Sequence, residues 1–209
     1  MAKRTRRPAD PAARVIECTL ALAAERGWRR TGLADIAAAA KLSLAELYGL
    51  YPSRGAIIAA FVRGIDEAVL AEGPAEGESA RERLFDILMR RFEALRPHKS
   101  GVEAILRACG SDPLALLCGG PRLSRSLAWM LEAAGLSSQG VVGILRVKGL
   151  AVVYLAALRT WFADDTPDMS RTMAALDRAL RRAEGLSGLC RRVKGGLGRG
   201  GLPEAEAHA

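Results

Sequence analysis

The order of apolar and polar positions predicts helices along most of the chain. Between Pro11 and Arg26, apolar residues recur every three or four positions, as they do on one face of an α-helix. The shorter segment Leu33–Ala40 has the same spacing. The alternation typical of strands is hard to find, and the helix formers Ala, Leu and Arg dominate the composition. We therefore predict an all-α protein of about nine helices.

Glycine and proline divide this pattern into two helical domains and a tail. Residues 1–72 are predicted to hold a basic arm, three short helices and a connecting helix, which ends before a linker from Gly73 to Gly77. Residues 79–184 are predicted to form a helical bundle. Its five helices are expected at about 79–96, 101–111, 121–134, 139–163 and 169–184, separated by breakers such as Gly119-Gly120-Pro121. The Gly-rich residues 185–209 predict a disordered tail.

The three N-terminal helices have the lengths and spacing of a helix-turn-helix unit. The last two are separated by a three-residue turn at Lys41, after which Ser43 opens the third helix. Ser43 and Glu46 have the spacing of a capping box, in which each side chain bonds the backbone of the other residue. Glu46 could instead act as an anion that repels DNA, and the sequence leaves both readings open.

The distribution of charge favours a nucleic-acid partner for the N-terminal end. The chain has 209 residues and a formal net charge of +8. Ten basic and five acidic residues lie between Met1 and Ala60, so five of the eight excess positive charges are in that segment.

Several classes of site have no signal in the sequence. The four cysteines and two histidines are scattered without the spacing of zinc ligands, so we predict no metal. No nucleophile elbow, phosphate-binding loop or dinucleotide fingerprint appears, so we predict no enzyme, no catalytic residue and no cofactor. No signal peptide follows Met1, and the apolar run Gly149 to Leu158 is too short to cross a bilayer. We expect a cytoplasmic protein without a membrane span.

The segment from Val15 to Ile58 resembles the N-terminal DNA-binding domain of the TetR family of regulators. The matching motifs are Ala24-Glu25-Arg26-Gly27-Trp28, Thr31-Gly32-Leu33-Ala34-Asp35-Ile36-Ala37 and Leu47-Tyr48-Gly49-Leu50-Tyr51-Pro52-Ser53-Arg54. The resemblance implies a transcriptional repressor that binds double-stranded DNA as a homodimer. A small hydrophobic molecule would then release the DNA.

The resemblance also assigns contacts to individual residues. Thr31, Tyr48 and Arg54 stand at phosphate-binding positions, and the arginines of the N-terminal arm could follow the DNA backbone or the minor groove. The full set of expected DNA contacts is Arg4, Arg6, Arg7, Thr31, Lys41, Ser43, Leu44, Ala45, Tyr48, Gly49 and Arg54. Lys41 replaces the family's turn glycine and is expected to adopt a left-handed conformation. Tyr48 could alternatively belong to the core.

Part of the second domain resembles a narrower group of TetR relatives akin to the mitochondrial lipid-binding accessory protein of ubiquinone biosynthesis. The segments Arg146–Leu150 and Trp161–Met169 carry this resemblance. It supports an alternative function, a lipid- or isoprenoid-binding protein with a degenerate helix-turn-helix. The large residues available to line a ligand pocket are Phe85, Leu88, Met89, Phe92, Trp129, Met130, Tyr154 and Trp161. Ordinary core packing is the competing interpretation for each of them.

The helix expected at 139–163 is apolar on every side between Gly149 and Leu158. One apolar face of this helix would be buried against the core of its own chain. Another would have to be buried against other residues, which a second copy of the chain could supply. The resemblance accordingly implies a homodimer through helices at about 139–163 and 169–184. A central helix in a monomer remains the alternative.

Overall fold

A computed structural model describes residues 10–110 and 113–197, with side-chain surroundings for 10–110 and 119–185. The described residues form nine α-helices and no strand, as predicted. The helices are α1 (Pro11–Arg26), α2 (Leu33–Ala40), α3 (Leu44–Leu50), α4 (Arg54–Ala71), α5 (Ala80–Leu95), α6 (Lys99–Gly110), α7 (Pro113–Ala133), α8 (Gly140–Phe162) and α9 (Ser170–Leu197). Short 3-10 turns at Trp28–Arg30 and Arg96–His98 precede α2 and α6.

Two predicted boundaries are wrong. Helix α7 continues through Pro121 without the break expected at Gly119-Gly120-Pro121. A proline removes one backbone donor and crowds the preceding turn, and nothing in the structure explains why the helix continues here. Helix α9 extends to Leu197, whereas a disordered tail was expected from residue 185. Helix-forming residues between the glycines of this segment outweigh the glycine signal, and residues 198–209 lie outside the described residues.

The core has two parts, and α4 contributes to both. A small cluster holds the N-terminal helices together through residues that include Ile36, Leu47 and Ile57. A larger cluster unites α5 with α7, α8 and α9, and it also contains Phe61 and Val69 of α4. Helix α4 therefore joins the helix-turn-helix unit to the rest of the molecule through its buried face. The segment between α4 and α5 is non-helical, as predicted for Gly73–Gly77.

A second link between the two parts is a close contact of α1 with α6. Gly101 is buried, and a Cβ atom added to it would lie only 2.6 Å from the carbonyl oxygen of Leu20. Real side chains do not tolerate such a distance. The absence of a side chain at Gly101 is thus what lets the backbones of α1 and α6 approach each other.

Helix α8 exposes an unusually apolar face. Val141 is 75% exposed and Val152 is 71% exposed, and the other large apolar residues on this surface are Val142, Ile144, Leu145 and Leu155. Of the described helices, α8 alone is long and apolar enough to cross a membrane, with one third of its most apolar window buried. A core helix of a soluble protein meets the same criteria. Lys148 lies close to the middle of α8, and a lysine at a bilayer centre costs about 2.5–3.5 kcal/mol.

Candidate nucleic-acid interface

The turn between α2 and α3 fixes the angle at which α3 leaves the unit. Lys41 ends α2 in the left-handed region with φ 55° and ψ 46°, as expected for a residue at a glycine position. Its N–H donates to the carbonyl of Ala38 at 3.1 Å, and the N–H of Leu42 donates to Ala37 at 2.9 Å. These two bonds satisfy the last carbonyls of α2, a common way to end a helix. Beyond the turn, Leu47 is buried and anchors α3 to the small core.

The start of α3 is held by the predicted capping box. The Ser43 hydroxyl accepts a hydrogen bond from the N–H of Glu46 at 3.2 Å, and Glu46 Oε2 accepts from the N–H and hydroxyl of Ser43 at 2.7 and 2.8 Å. The bond from the Ser43 N–H, followed by that from its hydroxyl, lowers the pKa of Glu46. The cap therefore stabilises α3 above the ordinary carboxyl pKa and is lost as the pH falls through the lowered value. Glu46 acts as a cap.

The outer face of α3 is open to solvent. Tyr48 is 72% exposed and Leu44 is 57% exposed, so Tyr48 does not belong to the core. Ser43, Ala45 and Gly49 are exposed as well, and so is Lys41 in the preceding turn. The side chains expected to contact DNA within and next to α3 therefore share one accessible surface. Its chemistry is a phenol, a leucine and small residues, and apolar groups of this kind can contact the thymine methyl group.

Two residues expected to contact phosphates make internal hydrogen bonds in this structure. Thr31 is buried, and its hydroxyl donates to the carbonyl of Gly27 at 3.1 Å. Nη1 of Arg54 donates to the carbonyls of Trp28 and Thr31 at 3.0 and 2.7 Å, and its guanidinium lies 4.8 Å from the centre of the Trp28 ring. The Trp28 carbonyl also accepts from the N–H of Thr31 at 3.3 Å, so Arg54 adds a second donor to this short turn. No sequence signal separates such an arginine from one that binds phosphate.

The sequence also did not single out Arg14, whose Nε donates to the carbonyl of Ala40 at 2.8 Å. This bond ties α1 to the last turn of α2, where a cation is favourable. A basic residue on the inner side of α1 was the only available signal. The predicted contacts Arg4, Arg6 and Arg7 of the arm lie outside the described residues.

The large residues proposed for a ligand pocket do not line one chamber. Phe92 stacks on Tyr154 with ring centres 5.4 Å apart and lies 5.7 Å from Trp161. These three side chains are buried, as are Leu88, Met89 and Met130, whereas Phe85 is half-buried. Trp129 is 57% exposed and lies apart from the others. Two open surface hollows, of about 360 and 300 Å³, lie elsewhere, beside Trp28 and beside Phe162.

A buried polar network crosses this otherwise apolar core. Arg91 of α5 forms an ion pair with Asp66 of α4, and its Nε donates to the Tyr154 hydroxyl of α8 at 3.3 Å. The hydroxyl of Ser126 in α7 donates to the same Asp66 oxygen at 2.8 Å. Burial lowers the pKa of Arg91, but Tyr154 and Asp66 outweigh it, and the net shift is upward. The network therefore keeps a full positive charge at the junction of four helices.

Asp164 belongs to a structural motif at the start of α9. It is buried and accepts hydrogen bonds from the backbone and hydroxyl of both Thr166 and Thr172, at 2.5 to 3.1 Å. Burial raises its pKa, but these bonds outweigh that effect and hold the pKa well below its ordinary value. Asp164 is thus a capping carboxylate that fixes the turn between α8 and α9.

Comparisons with known proteins match both the N-terminal unit and the whole fold. Residues 15–61 match the family model described as bacterial regulatory proteins of the TetR family. A TetR transcriptional regulator from Nitrosomonas europaea is 25% identical, with a TM-score of 0.68 over 84% of this chain and 99% of that chain. A TetR regulator from Rhodococcus sp. RHA1 is 18% identical, with a TM-score of 0.62 over 83% and 94%. GusR from Salmonella enterica is also 18% identical, with a TM-score of 0.59 over 88% and 98%. Among curated proteins, none matches the chain.

Proposed function

We propose that this chain is a regulator of the TetR family and that it binds duplex DNA through the outer face of α3 as a homodimer. The observation that carries the proposal is the shared exposure of Lys41, Ser43, Leu44, Ala45 and Tyr48 on a helix whose start is capped and whose inner side is buried. A short helix held in this way can enter a major groove as a rigid body. Gly49 completes the proposed contact face, and the N-terminal arginines add sequence-independent attraction to phosphates.

The apolar face of α8 supports the dimeric form. Exposed valines and leucines at helical spacing, as in Val141, Leu145, Val152 and Leu155, lose water contact when a second copy covers them. A twofold dimer would present two copies of α3, which fit successive major grooves when they are about 34–36 Å apart. We propose that α8 and α9 of the two copies form this interface.

We further propose that the protein is a cytoplasmic repressor without catalytic activity, and that a small hydrophobic ligand releases it from DNA. Such a ligand would enter between the helices around Phe92 and Trp161, where the core is rich in aromatic side chains. It would shift the population towards dimers whose two α3 helices no longer match the groove spacing.

The DNA-binding proposal is tested with fluorescently labelled duplexes from the region flanking the protein's own gene. We expect the unmodified protein to bind one of them with an affinity that falls steeply as salt rises. Tyr48→Ala should weaken that binding about tenfold or more, because a contact to DNA bases is worth about 1–3 kcal/mol. Leu106→Ala, which shortens an exposed side chain on α6, is the matched control and should bind like the unmodified protein. Equal binding by both variants would show that α3 is not part of the DNA-binding surface.

A lipid-binding function is the second candidate, and the composition of α3 favours it. The helix Leu44–Leu50 contains no lysine, arginine, asparagine or glutamine, the side chains that make most specific hydrogen bonds to bases. Native mass spectrometry of the purified protein distinguishes the two candidates. A copurified isoprenoid or fatty acid, together with no affinity for any duplex at low salt, would overturn the proposed regulator function and favour the lipid-binding function.

A further inference from the structure

One arginine of the second domain lies against the DNA-binding unit. Both Nη atoms of Arg122, in α7, are 3.7 Å from the position that a Cβ atom would take on Gly55, in the first turn of α4. The hydroxyl of Ser53 is also 3.7 Å from that position. Helix α7 follows α5 and α6 in the chain and packs in the large core. Its Arg122 nevertheless reaches the residues that directly follow α3.

The charge of Arg122 is not engaged within the described part of the protein. The side chain is exposed and, among the described residues, has no hydrogen-bond or ion-pair partner. Arg81, Arg83 and Arg90 of α5, in contrast, are bound to carboxylates or carbonyls. Arg125 lies three residues after Arg122, on the same side of α7, and is exposed too. The end of α4 next to α3 therefore faces the uncompensated guanidinium of Arg122, with Arg125 one turn further along α7.

Arg122 lies close to Arg54, the first residue of α4, whose own guanidinium has internal partners. The guanidinium of Arg54 is turned inward onto Trp28 and the carbonyl of Thr31. Nη1 of Arg54 therefore donates its hydrogen bonds to the turn after α1. Arg122 places a second guanidinium beside Ser53 and Gly55 without such internal bonds. Helix α7 thus adds an exposed guanidinium to the charge at this point of the surface.

The connection from α3 to α4 places Arg122 close to the proposed DNA. Only three residues separate Leu50, the last residue of α3, from Arg54. Even a fully extended chain of this length spans no more than about 14 Å. A helix in a major groove, which is about 12 Å wide, has a row of phosphates on either side. A long side chain beside the start of α4 is within reach of one of these rows.

We propose that Arg122 binds a DNA phosphate beside the groove entered by α3, with Arg125 adding to the local positive potential. The duplex is then held by the second domain as well as by the helix-turn-helix unit. This inference rests on the proposed DNA-binding function. It adds that a displacement of α7 changes the DNA contacts directly, in addition to any change in the spacing of the two α3 helices.

The test compares Arg122→Ala with Arg178→Ala in the full chain, by titration of labelled duplexes at several salt concentrations. Arg178 is an exposed arginine at the other end of the molecule. The preceding residue, Asp177, pairs with Arg81 at 2.8 Å near the start of α5. The start of α5 comes soon after the last turn of α4, whereas Gly55 lies in the first turn of that 18-residue helix. Both variants lose one positive charge, so the overall charge is matched.

We expect Arg122→Ala to reduce the slope of log affinity against log salt by about 0.9 for each subunit, or about 1.8 for a dimer. The preference for one duplex sequence over another should not change, because a phosphate contact carries no base information. Arg178→Ala should keep the slope of the unmodified protein. Arg122→Lys, which retains the charge, should recover most of the slope.

The outcomes separate this inference from the proposed function. If the unmodified protein binds DNA and Arg122→Ala keeps the same salt slope, the phosphate contact is wrong while the regulator stands. Equal losses in Arg122→Ala and Arg178→Ala would show an effect of net charge only and would also overturn it. Failure of the unmodified protein to bind any duplex at low salt would overturn both.

Discussion

At the residue scale, the turn before α3 combines strain with a charge that DNA can use. Lys41 has φ 55°, and a side chain in the left-handed region costs about 1–2 kcal/mol. The residue is exposed and its backbone bonds close the end of α2. A glycine would adopt the same conformation without this penalty. Lysine at this position therefore lowers the free energy of unfolding somewhat and places a cation next to α3.

We expect Lys41→Gly to raise the free energy of unfolding by up to about 1 kcal/mol, since the gain in the turn exceeds the added freedom of the unfolded chain. The same variant should bind DNA more weakly. Lys41→Ala is the matched control, because it loses the charge but keeps the strain. Urea denaturation and duplex titration measure the two effects. A Lys41→Gly protein that is less stable than Lys41→Ala would contradict the account of the turn.

Residues whose role depends on near neighbours were predictable, and those that depend on distant partners were not. The spacing of Ser43 and Glu46 predicted the capping box, and the position of Lys41 predicted its left-handed conformation, because both are local effects. The inward turn of Arg54 depends on carbonyls 23 and 26 residues away. Thr31 was assigned to DNA by resemblance, and its burial follows from packing that no local pattern encodes.

At the scale of elements, four helices meet at the buried pair of Arg91 and Asp66. The pair joins α4 to α5, while Ser126 and Tyr154 extend it to α7 and α8. Removing one partner of a buried ion pair leaves the other charge without compensation, which costs about 3–5 kcal/mol. The helix that leads to the DNA-binding unit is therefore held by polar bonds as well as by apolar packing.

We expect Asp66→Ala to lower the free energy of unfolding by about 3–5 kcal/mol in urea denaturation. Ser126→Ala removes one neutral donor from the same carboxylate and should cost only about 1 kcal/mol. The double variant with Asp66→Ala and Arg91→Met removes both charges and should recover most of the loss. A double variant as unstable as Asp66→Ala would mean that packing at this site, rather than the unpaired charge, sets the stability.

Helix boundaries show the same limit of local patterns. Most boundaries were predicted to within a few residues, because capping residues and glycines act on their immediate neighbours. The break expected before Pro121 is absent, although Pro121 and the glycines before it are exposed. The end of α9 lies beyond the expected residue 184, because composition is a weak prior that context overrides.

At the scale of the whole molecule, the apolar face of α8 predicts self-association. We expect Val152→Lys to convert the proposed dimer to monomer in sedimentation velocity, because an unpaired cation in the interface is costly to bury and the exposed Lys148, one turn earlier on the same side of α8, adds like-charge repulsion. Its affinity for DNA should fall as well, since one subunit reaches only one half-site. Leu70→Lys, at an exposed apolar position in α4, is the control and should remain dimeric. An unmodified protein that sediments as a monomer at micromolar concentration would exclude this interface.

The contact between Gly101 and Leu20 determines how a displacement passes between the two parts of the molecule. Side chains between two helices can change rotamer and so absorb a small relative shift, but here backbone meets backbone. A translation of α6 should therefore displace α1 by nearly the same distance. Helices α2 and α3 pack with α1 in the small core and should move with it. If the proposed ligand displaces α6, this backbone contact should tilt the N-terminal helices along with it.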